Sequence, residues 1–240
     1  MRTDEAVRCI PFLIRHVKSY PQKNKLTCQS TFGSVASMAK NDKQELIVDA
    51  ALEVFCEKGF ANTRMGDIAT KAGVSYGLVY HYFESKEAFF DHIVERWWKT
   101  LYDMLEGEKS SQAVFEEKLE RIIRFFLDTY ASKFNLLSIF ITEVSRSSLY
   151  RTEAGLARFR KFFTLCDEIM TEGQKRGILR NDVAPHYLTY IFLGAIEAFI
   201  SIMVLGKEKI TKQREQRTIN GIMQVFLHGA VAQNGIRSKT

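Results

Sequence analysis

Proline and strand-like alternation are both scarce in this sequence. The 240 residues include three prolines, and two of them, Pro11 and Pro21, lie within the first 37 residues. Because proline interrupts helices and alternation of apolar and polar residues marks strands, this pattern predicts an all-α protein. With 46% hydrophobic residues, the chain can bury one large core or two smaller ones.

Cysteine is also sparse, and the common motifs of catalysis are missing. The four cysteines lie far apart and form no Cys-x-x-Cys pair, which indicates reduced thiols in a cytoplasmic protein rather than disulfides or a zinc site. The sequence contains no glycine-rich phosphate loop, no His-Glu-x-x-His motif and no Gly-x-Ser-x-Gly motif. We therefore expect a protein without enzymatic activity, without a cofactor and without a bound metal.

Residues 63–90 carry the most informative pattern. Their sequence, TRMGDIATKAGVSYGLVYHYFESKEAFF, predicts two short helices joined by a turn, followed by the start of a third helix. Apolar residues recur at helical spacing in the first of these helices: Met65, Ile68, Ala69 and Ala72. Gly73 permits the backbone of a tight turn. Either Thr63 or Arg64 is expected to cap the first helix.

The second short helix, which Ser75 is expected to cap, has a polar and aromatic surface. Val79 and Phe83, one turn apart, are the two side chains that need to face inward. The others then face outward: Ser75, Tyr76, Gly77, Leu78, Tyr80, His81 and Tyr82. Such a surface is typical of a helix that enters a DNA groove, although a tyrosine-rich helix packed beneath a neighbouring domain would leave the same pattern.

The stretch GVSYGLVYHYFESKEAFF closely resembles the helix-turn-helix of the tetracycline-repressor (TetR) family, whose pattern runs roughly G-V-S-x-G-x-x-Y-x-Y-F-x-S-K-E-x-L. The matching positions are Gly73, Val74, Ser75, Gly77, Tyr80, Tyr82, Phe83, Ser85, Lys86 and Glu87. Upstream, DAALEVFCEKGFANTRMGDIATKAG is similar to the first and second helices of that family, so the resemblance spans residues 49–90 without a gap. It implies a homodimeric, cytoplasmic, ligand-responsive transcription regulator, usually a repressor, that binds a palindromic double-stranded operator.

The resemblance and the side-chain chemistry together imply two groups of DNA contacts. The phosphate backbone is expected to be held by polar side chains near helix ends: Thr63, Arg64, Tyr80, His81, Tyr82 and Lys86. Base edges are expected to meet the leading end of the second helix: Ser75, Tyr76, Gly77 and Leu78. The competing interpretation is a helical protein-interaction module without DNA-binding activity, which would have no need of the polar cluster from Tyr80 to Lys86.

The net charge of +6 does not come from this segment. Residues 38–100 hold 8 Lys and Arg against 10 Asp and Glu, whereas residues 1–37 hold 6 against 2 and residues 101–240 hold 20 against 16. DNA binding by residues 38–100 must therefore depend on individually placed donors rather than on bulk charge.

We expect the chain to divide into three parts. Residues 1–37 are expected to be either a disordered arm or an over-extended translation ahead of a start at Met38. Residues 38–95 form the three-helix helix-turn-helix head, and residues 96–240 form a helical ligand-binding and dimerisation body. Outside residues 63–90, helices are predicted at about 43–58, 112–132, 135–149, 152–176, 188–205 and 213–232.

Residues 188–205 form an apolar run of membrane-spanning length, but Glu197 stands at its centre. A membrane span is one interpretation. The resemblance implies the other, in which this helix and the last helix form a four-helix bundle across a two-fold dimer axis. The residues expected at that interface are Gly194, Ala198, Ser201, Ile222 and Phe226.

The resemblance also implies an effector pocket within the body. Candidate lining residues are Phe126, Tyr130, Phe140, Phe159, Phe163, Cys166 and Glu197, although aromatic residues at helical spacing also form ordinary cores. Arg158, Arg160 and Lys161 form a basic cluster that either holds an anionic head group or lies in solvent. A general similarity of this half to regulators of fatty-acid degradation suggests long-chain acyl-CoA as the effector.

Overall fold

The computed structural model describes residues 40–142, 152–206 and 208–229. These ranges hold nine α-helices and no strand, which confirms the all-α prediction. The predicted N-terminal extension lies outside the described residues. The helices are α1 Lys40–Lys58, α2 Met65–Ala72, α3 Tyr76–Tyr82, α4 Lys86–Ser110, α5 Phe115–Ser132, α6 Phe134–Thr142, α7 Glu153–Lys175, α8 Pro185–Gly206 and α9 Lys212–His228.

The predicted helix boundaries differ from the observed ones by a few residues. α8 begins at Pro185, because proline is well tolerated in a first helical turn where its missing N–H is not needed. α5 begins at Phe115, later than expected. The second half of the predicted sixth helix falls within residues 143–151, outside the described residues.

The described residues belong to two compact units. The first contains, of the described residues, 40–98, 138–142 and 152–155, and the second contains 99–137, 156–206 and 208–229. α4 therefore begins in the first unit and ends in the second.

In the first unit, the amphipathic stripe of α1 packs against α2 and against Phe89 and Phe90 of α4. Its buried residues are Ile47, Ala50, Ala51, Val54 and Phe55. The helix ends before Gly59, whose positive φ of 77° reverses the chain. Phe60 then packs with ring centroids 5.3 Å from Phe55 and 4.9 Å from Phe90. This aromatic cluster fixes the loop that leads into α2.

In the second unit, α5, α8 and α9 pack against one another. The apolar face of α5 is buried at Phe115, Leu119, Ile122, Ile123 and Tyr130. Phe192 of α8 meets Phe226 of α9 with ring centroids 5.0 Å apart. Phe126 of α5 is half-buried.

α5 and α7 make close polar and apolar contacts. Lys118 is buried, and its Nζ donates to both carboxylate oxygens of Glu172 at 3.0 Å. Next to Glu172, Gly173 lies against the ring of Phe115 so closely that a Cβ at this position would be 2.4 Å from Phe115 Cζ. The contact between these two helices therefore requires glycine at position 173.

The helix α8 is long and apolar enough to cross a membrane by length and composition. One of its faces, with Leu188, Phe192, Ile196, Ile200 and Met203, is buried within the second unit. The opposite face exposes large apolar side chains: Tyr187, Ile191, Phe199, Ile202 and Leu205. Such a contiguous exposed apolar face marks a surface that another molecule covers.

Candidate nucleic-acid interface

Arg64 occupies the N-cap position of α2, immediately before Met65. The backbone N–H of Arg64 donates to Oδ2 of Asp67 at 2.9 Å, and Lys58 Nζ donates to Oδ1 of the same carboxylate at 2.7 Å. The hydrogen bond from Lys58 is the main cause that lowers the pKa of Asp67. An acidic side chain in the first turn also suits the positive end of a helix. α2 ends at Gly73, whose φ is 66°.

Thr63 closes the turn before α2. Its side chain is 3% exposed, and its Oγ1 donates to the carbonyl oxygen of Gly59 at 2.9 Å. This arrangement disfavours a side-chain contact with phosphate, and the assignment of Thr63 to DNA stays a prediction. The neighbouring Arg64 side chain is exposed and lies at the start of α2, which is also the N-cap assignment that the sequence left open.

The short helix α3 has the predicted division of its side chains. Ser75 caps it, since its Oγ accepts from the backbone N–H of Leu78 at 3.3 Å. Val79 and Phe83 are buried. Ser75, Tyr76, Gly77, Tyr80 and His81 are exposed, whereas Leu78 and Tyr82 are half-buried. A Cβ added to Gly77 would meet no atom within 4 Å, so this stretch of backbone is open to an approaching partner.

Tyr76 and Tyr80 form a pair on the exposed face of α3. Their ring centroids lie 4.8 Å apart, and their hydroxyl oxygens are 3.1 Å apart. Spacing of four residues on a helix brings such side chains together. The hydrogen bond from Tyr76 raises the pKa of Tyr80 above its ordinary value. Sequence reasoning assigned these tyrosines to separate roles and missed their contact, although the i, i+4 spacing signals it.

The side chain of Lys86 folds back onto the loop before α2. Its Nζ donates to the carbonyl oxygens of Phe60 at 2.9 Å and Ala61 at 3.2 Å, and it lies 4.6 Å from the centroid of the Phe60 ring. Ser85 caps α4, because its Oγ accepts from the backbone N–H of Ala88 at 3.0 Å. Two of the three protons of the Lys86 ammonium are therefore already engaged, and one remains available.

Two other cations of this unit, Lys71 and Arg96, are neutralised by nearby acids. Lys71 lies between Glu53 at 2.7 Å and Glu57 at 3.1 Å, and these hydrogen bonds raise its pKa. Arg96 pairs with Glu45. These ion pairs agree with the slightly acidic balance of residues 38–100.

The residues proposed for the effector pocket lie mostly in the second unit. Phe163 of α7 contacts Tyr190 of α8 with ring centroids 5.4 Å apart. Next to these rings, Thr189 Oγ1 donates to Oδ1 of Asp167 at 2.5 Å. Phe159 is half-buried. Phe140 belongs to α6, but its side chain lies outside the described residues.

Two of the pocket candidates, Tyr130 and Cys166, are more strongly buried than the others. Tyr130 donates its hydroxyl to the carbonyl oxygen of Met203 at 3.0 Å, so this side chain ties α5 to α8. Burial raises the pKa of the Cys166 thiol well above its ordinary value, which keeps the thiol protonated and inert. Glu197 is half-buried, and burial raises the pKa of its carboxyl group.

The basic cluster on α7 lies close to acidic and aromatic partners. Lys161 Nζ is 3.0 Å from Oε1 of Glu106 and 4.4 Å from the centroid of the Tyr102 ring. The hydroxyl of Tyr102 in turn donates to the backbone carbonyl oxygen of Arg158 at 2.8 Å, and burial raises the pKa of Tyr102 to about 12. Lys161 is thus held against α4 in a surface ion pair. Among the described residues, no group of His, Cys, Asp and Glu side chains is arranged to hold a metal ion.

The predicted interface residues divide into two sets. Gly194 and Ala198 share the exposed face of α8 with Ile191 and Ile202, since these residues are three or four positions apart. Ser201 lies at the edge of that face, and its Oγ is buried without a partner among the described residues. Ile222 is buried inside the single chain, which disfavours its place at the interface, and that assignment stays a prediction. Phe226 is half-buried against Phe192, so it also packs within its own chain.

A short capped helix that exposes polar and aromatic side chains, joined through a left-handed glycine turn to a preceding helix, defines a helix-turn-helix DNA-binding protein. Residues 47–93 match the family model described as "Bacterial regulatory proteins, tetR family", and residues 112–201 match the "Tetracyclin repressor-like, C-terminal domain". The chain therefore belongs to the TetR family of transcriptional regulators.

Individual relatives agree with this assignment. The chain is 25% identical to the "Fatty acid metabolism regulator protein" of Bacillus subtilis (strain 168) over 170 residues, which cover 71% of this chain and 88% of that one. It is 27% identical to the "HTH-type transcriptional repressor DhaR" of Mycobacterium sp. (strain GP1) over 180 residues, covering 74% and 88%.

Solved structures share the fold. FadR from Bacillus subtilis, crystallised in complex with stearoyl-CoA, superposes with a TM-score of 0.64 at 25% identity and covers 78% of this chain and 100% of its own. The MbdR regulator from Azoarcus sp. CIB superposes with a TM-score of 0.67 at 21% identity, covering 79% and 100%. At 21% identity, the similarity to the MbdR regulator concerns the fold alone.

Proposed function

We propose that this protein is a cytoplasmic repressor that binds a palindromic double-stranded operator as a homodimer and is released by a small hydrophobic effector. The observation that carries the proposal is the exposed face of α3. Tyr76 and Tyr80 stand on this face with 56% and 41% of their surface exposed, whereas Val79 of the same helix is buried. Large aromatic side chains on the outside of a well-anchored helix are suited to a partner surface.

The contacts with DNA divide between the phosphate backbone and the bases. Arg64 at the start of α2, the remaining proton of Lys86 and the hydroxyl of Tyr82 are suited to phosphate oxygens, with His81 beside them. Tyr76 and Leu78, together with the open backbone at Gly77, approach the base edges, where a leucine can pack on a thymine methyl group. No Arg, Asn or Gln lies on α3, so tyrosine hydroxyls supply most of the hydrogen bonding to bases.

The exposed face of α8 supports dimerisation. Ile191 and Ile202 are 60% and 61% exposed in the single chain. Between them lies Gly194, where an added Cβ would meet no atom within 4 Å. Small residues flanked by large apolar ones permit two helices to approach closely. A two-fold axis near Ala198 would bury both faces at once. In the complex, the two recognition helices should lie about 34–36 Å apart, in successive major grooves.

The second unit is the proposed effector-binding body. Phe126, Phe159 and Phe163 are half-buried, and Glu197 adds a polar group to an otherwise apolar helix. Because the regulator from Bacillus subtilis was crystallised with stearoyl-CoA, long-chain acyl-CoA is the first effector to test. By linkage, an effector that weakens DNA binding must itself bind the DNA-free protein more tightly by the same factor. We expect this protein to have no catalytic activity of its own.

DNA binding is tested by selection from a randomised duplex library, which needs no knowledge of the operator. Repeated capture on the purified full-length protein should enrich one inverted-repeat sequence, and fluorescence anisotropy should then show dimer binding to that duplex. The proposal fails if no sequence is enriched, which is the result expected of a protein-interaction module.

The effector is tested on the selected duplex. Stearoyl-CoA, stearate and coenzyme A are added separately to the protein–DNA complex and, in a thermal-shift assay, to the free protein. Release of DNA by stearoyl-CoA together with a higher melting temperature supports the effector assignment. A ligand that raises the melting temperature and leaves DNA affinity unchanged is bound, but it is not an effector.

A further inference from the structure

The contact between Tyr76 and Tyr80 has a consequence for DNA recognition. Each tyrosine hydroxyl carries one proton, and the two oxygens are 3.1 Å apart. When one hydroxyl donates to the other, a single proton remains for an outside acceptor. The two hydroxyls can therefore not make two independent donor contacts to DNA while they remain bonded to each other.

Because the Tyr76 hydroxyl donates to the Tyr80 oxygen, the remaining proton is that of Tyr80. The pair thus presents one free hydroxyl proton, on Tyr80, with the lone pairs of Tyr76 beside it, in place of two independent donors. Both features depend on the presence of both oxygens.

Tyr76 is held from two sides before DNA arrives. The ring of Tyr80 lies 4.8 Å away, and Tyr76 Cε2 lies 3.7 Å from the position that a Cβ on Gly66 would occupy. The ring of Tyr76 therefore rests between α2 and Tyr80. A side chain fixed in this way loses little rotamer freedom on binding. Removal of the Tyr80 hydroxyl would free the hydroxyl end of the Tyr76 side chain.

We propose that Tyr80 is a specificity-determining positioning residue, which holds the Tyr76 hydroxyl in the orientation needed for base contact, so that the two tyrosines recognise DNA as one unit. This inference rests on the proposed DNA-binding function. It departs from the expectation that Tyr80 contacts phosphate alone. A contact with phosphate alone would affect all DNA sequences equally.

The test is a double-mutant cycle on full-length protein with two DNA duplexes. Tyr76→Phe, Tyr80→Phe and the double variant are measured by anisotropy on the selected inverted repeat and on a scrambled duplex of equal composition. We expect each single substitution to lower the ratio of the two affinities about tenfold. The double substitution should also lower this ratio about tenfold relative to wild type, whereas independent contributions would lower it about a hundredfold. Tyr82→Phe is the matched control and should weaken binding to both duplexes alike.

A second measurement reports the pair without DNA. Titration of the phenolate absorbance should show that Tyr76→Phe returns the pKa of Tyr80 toward its ordinary value of 10.0. Tyr82→Phe should leave that transition in place.

Three results would overturn the inference: additive losses in the cycle, an unchanged affinity ratio for Tyr80→Phe, or an unchanged Tyr80 titration in Tyr76→Phe. Each is distinct from failure of the wild-type protein to enrich any duplex, which would instead remove the proposed function.

Discussion

The ammonium nitrogen of Lys86, at the start of α4, lies 2.9 Å from the carbonyl oxygen of Phe60, in the loop between α1 and α2. The same nitrogen lies 4.6 Å from the centroid of the Phe60 ring, within the range of a cation–π contact. One side chain therefore joins the loop before α2 to the helix after α3. Both ends of the helix-turn-helix depend on it.

Replacement of Lys86 by Met should reduce stability and DNA affinity together. Loss of charge-assisted hydrogen bonds to Phe60 and Ala61 should cost about 1.5 kcal/mol of unfolding free energy in this partly exposed position. Loss of one phosphate contact should reduce the slope of the logarithm of the DNA-binding constant against the logarithm of the salt concentration by about 0.9 in magnitude. Urea denaturation and anisotropy at several salt concentrations measure the two effects. Lys86→Arg keeps the positive charge and should therefore keep this slope. If Lys86→Met instead lowered the affinity for the preferred duplex alone, Lys86 would contact bases rather than phosphate.

Replacement of Gly173 by Ala should destabilise the second unit. The added Cβ would lie 2.4 Å from Phe115 Cζ, far inside van der Waals contact, so α5 and α7 must move apart. We expect a loss of about 1–3 kcal/mol, measured from the urea midpoint. Gly107→Ala, where a Cβ meets nothing within 4 Å, should instead be neutral or stabilising. If Phe115→Leu restores part of the stability lost in Gly173→Ala, the strain lies between these two side chains. An unchanged urea midpoint for Gly173→Ala would refute the close contact.

Replacement of Glu197 by Gln should stabilise the free protein at neutral pH. Burial raises the pKa of this carboxyl group above the reference value of 4.5, so the folded chain holds its proton at pH values where the unfolded chain has lost it. Stability therefore falls as pH rises from the unfolded pKa through the folded pKa, and the cost persists above it. Thermal melts of wild type and variant should differ near neutral pH and converge in acid. A larger gap in acid than at neutral pH would contradict the assignment.

Replacement of Ala198 by Glu should produce monomers. A charge on the exposed apolar face of α8 would be buried at the proposed two-fold axis without a partner. Ala157→Glu, at an exposed position of α7, is the matched control and should remain dimeric. Sedimentation velocity distinguishes the two species, and DNA affinity should fall only in the first variant. A dimeric Ala198→Glu protein would place the interface elsewhere.

Local features of the sequence determined the helices and the helix-turn-helix. The buried stripe of α1 at Ile47, Ala51 and Phe55, and the division of α3 between Val79 inside and Tyr76 outside, follow directly from helical periodicity. Capping by Ser75 was equally visible, because this interaction involves residues close in the chain. The family resemblance rests on the same local pattern.

Tertiary contacts decided which of the polar and apolar candidates are accessible. Thr63 closes a turn onto Gly59, and Lys86 reaches back 26 positions to Phe60, although both look like free surface donors in the sequence. Ile222 has the spacing of an interface residue, yet it is buried by its own chain. Periodicity shows which face of a helix is apolar, but only packing determines whether that face meets the same chain or a partner.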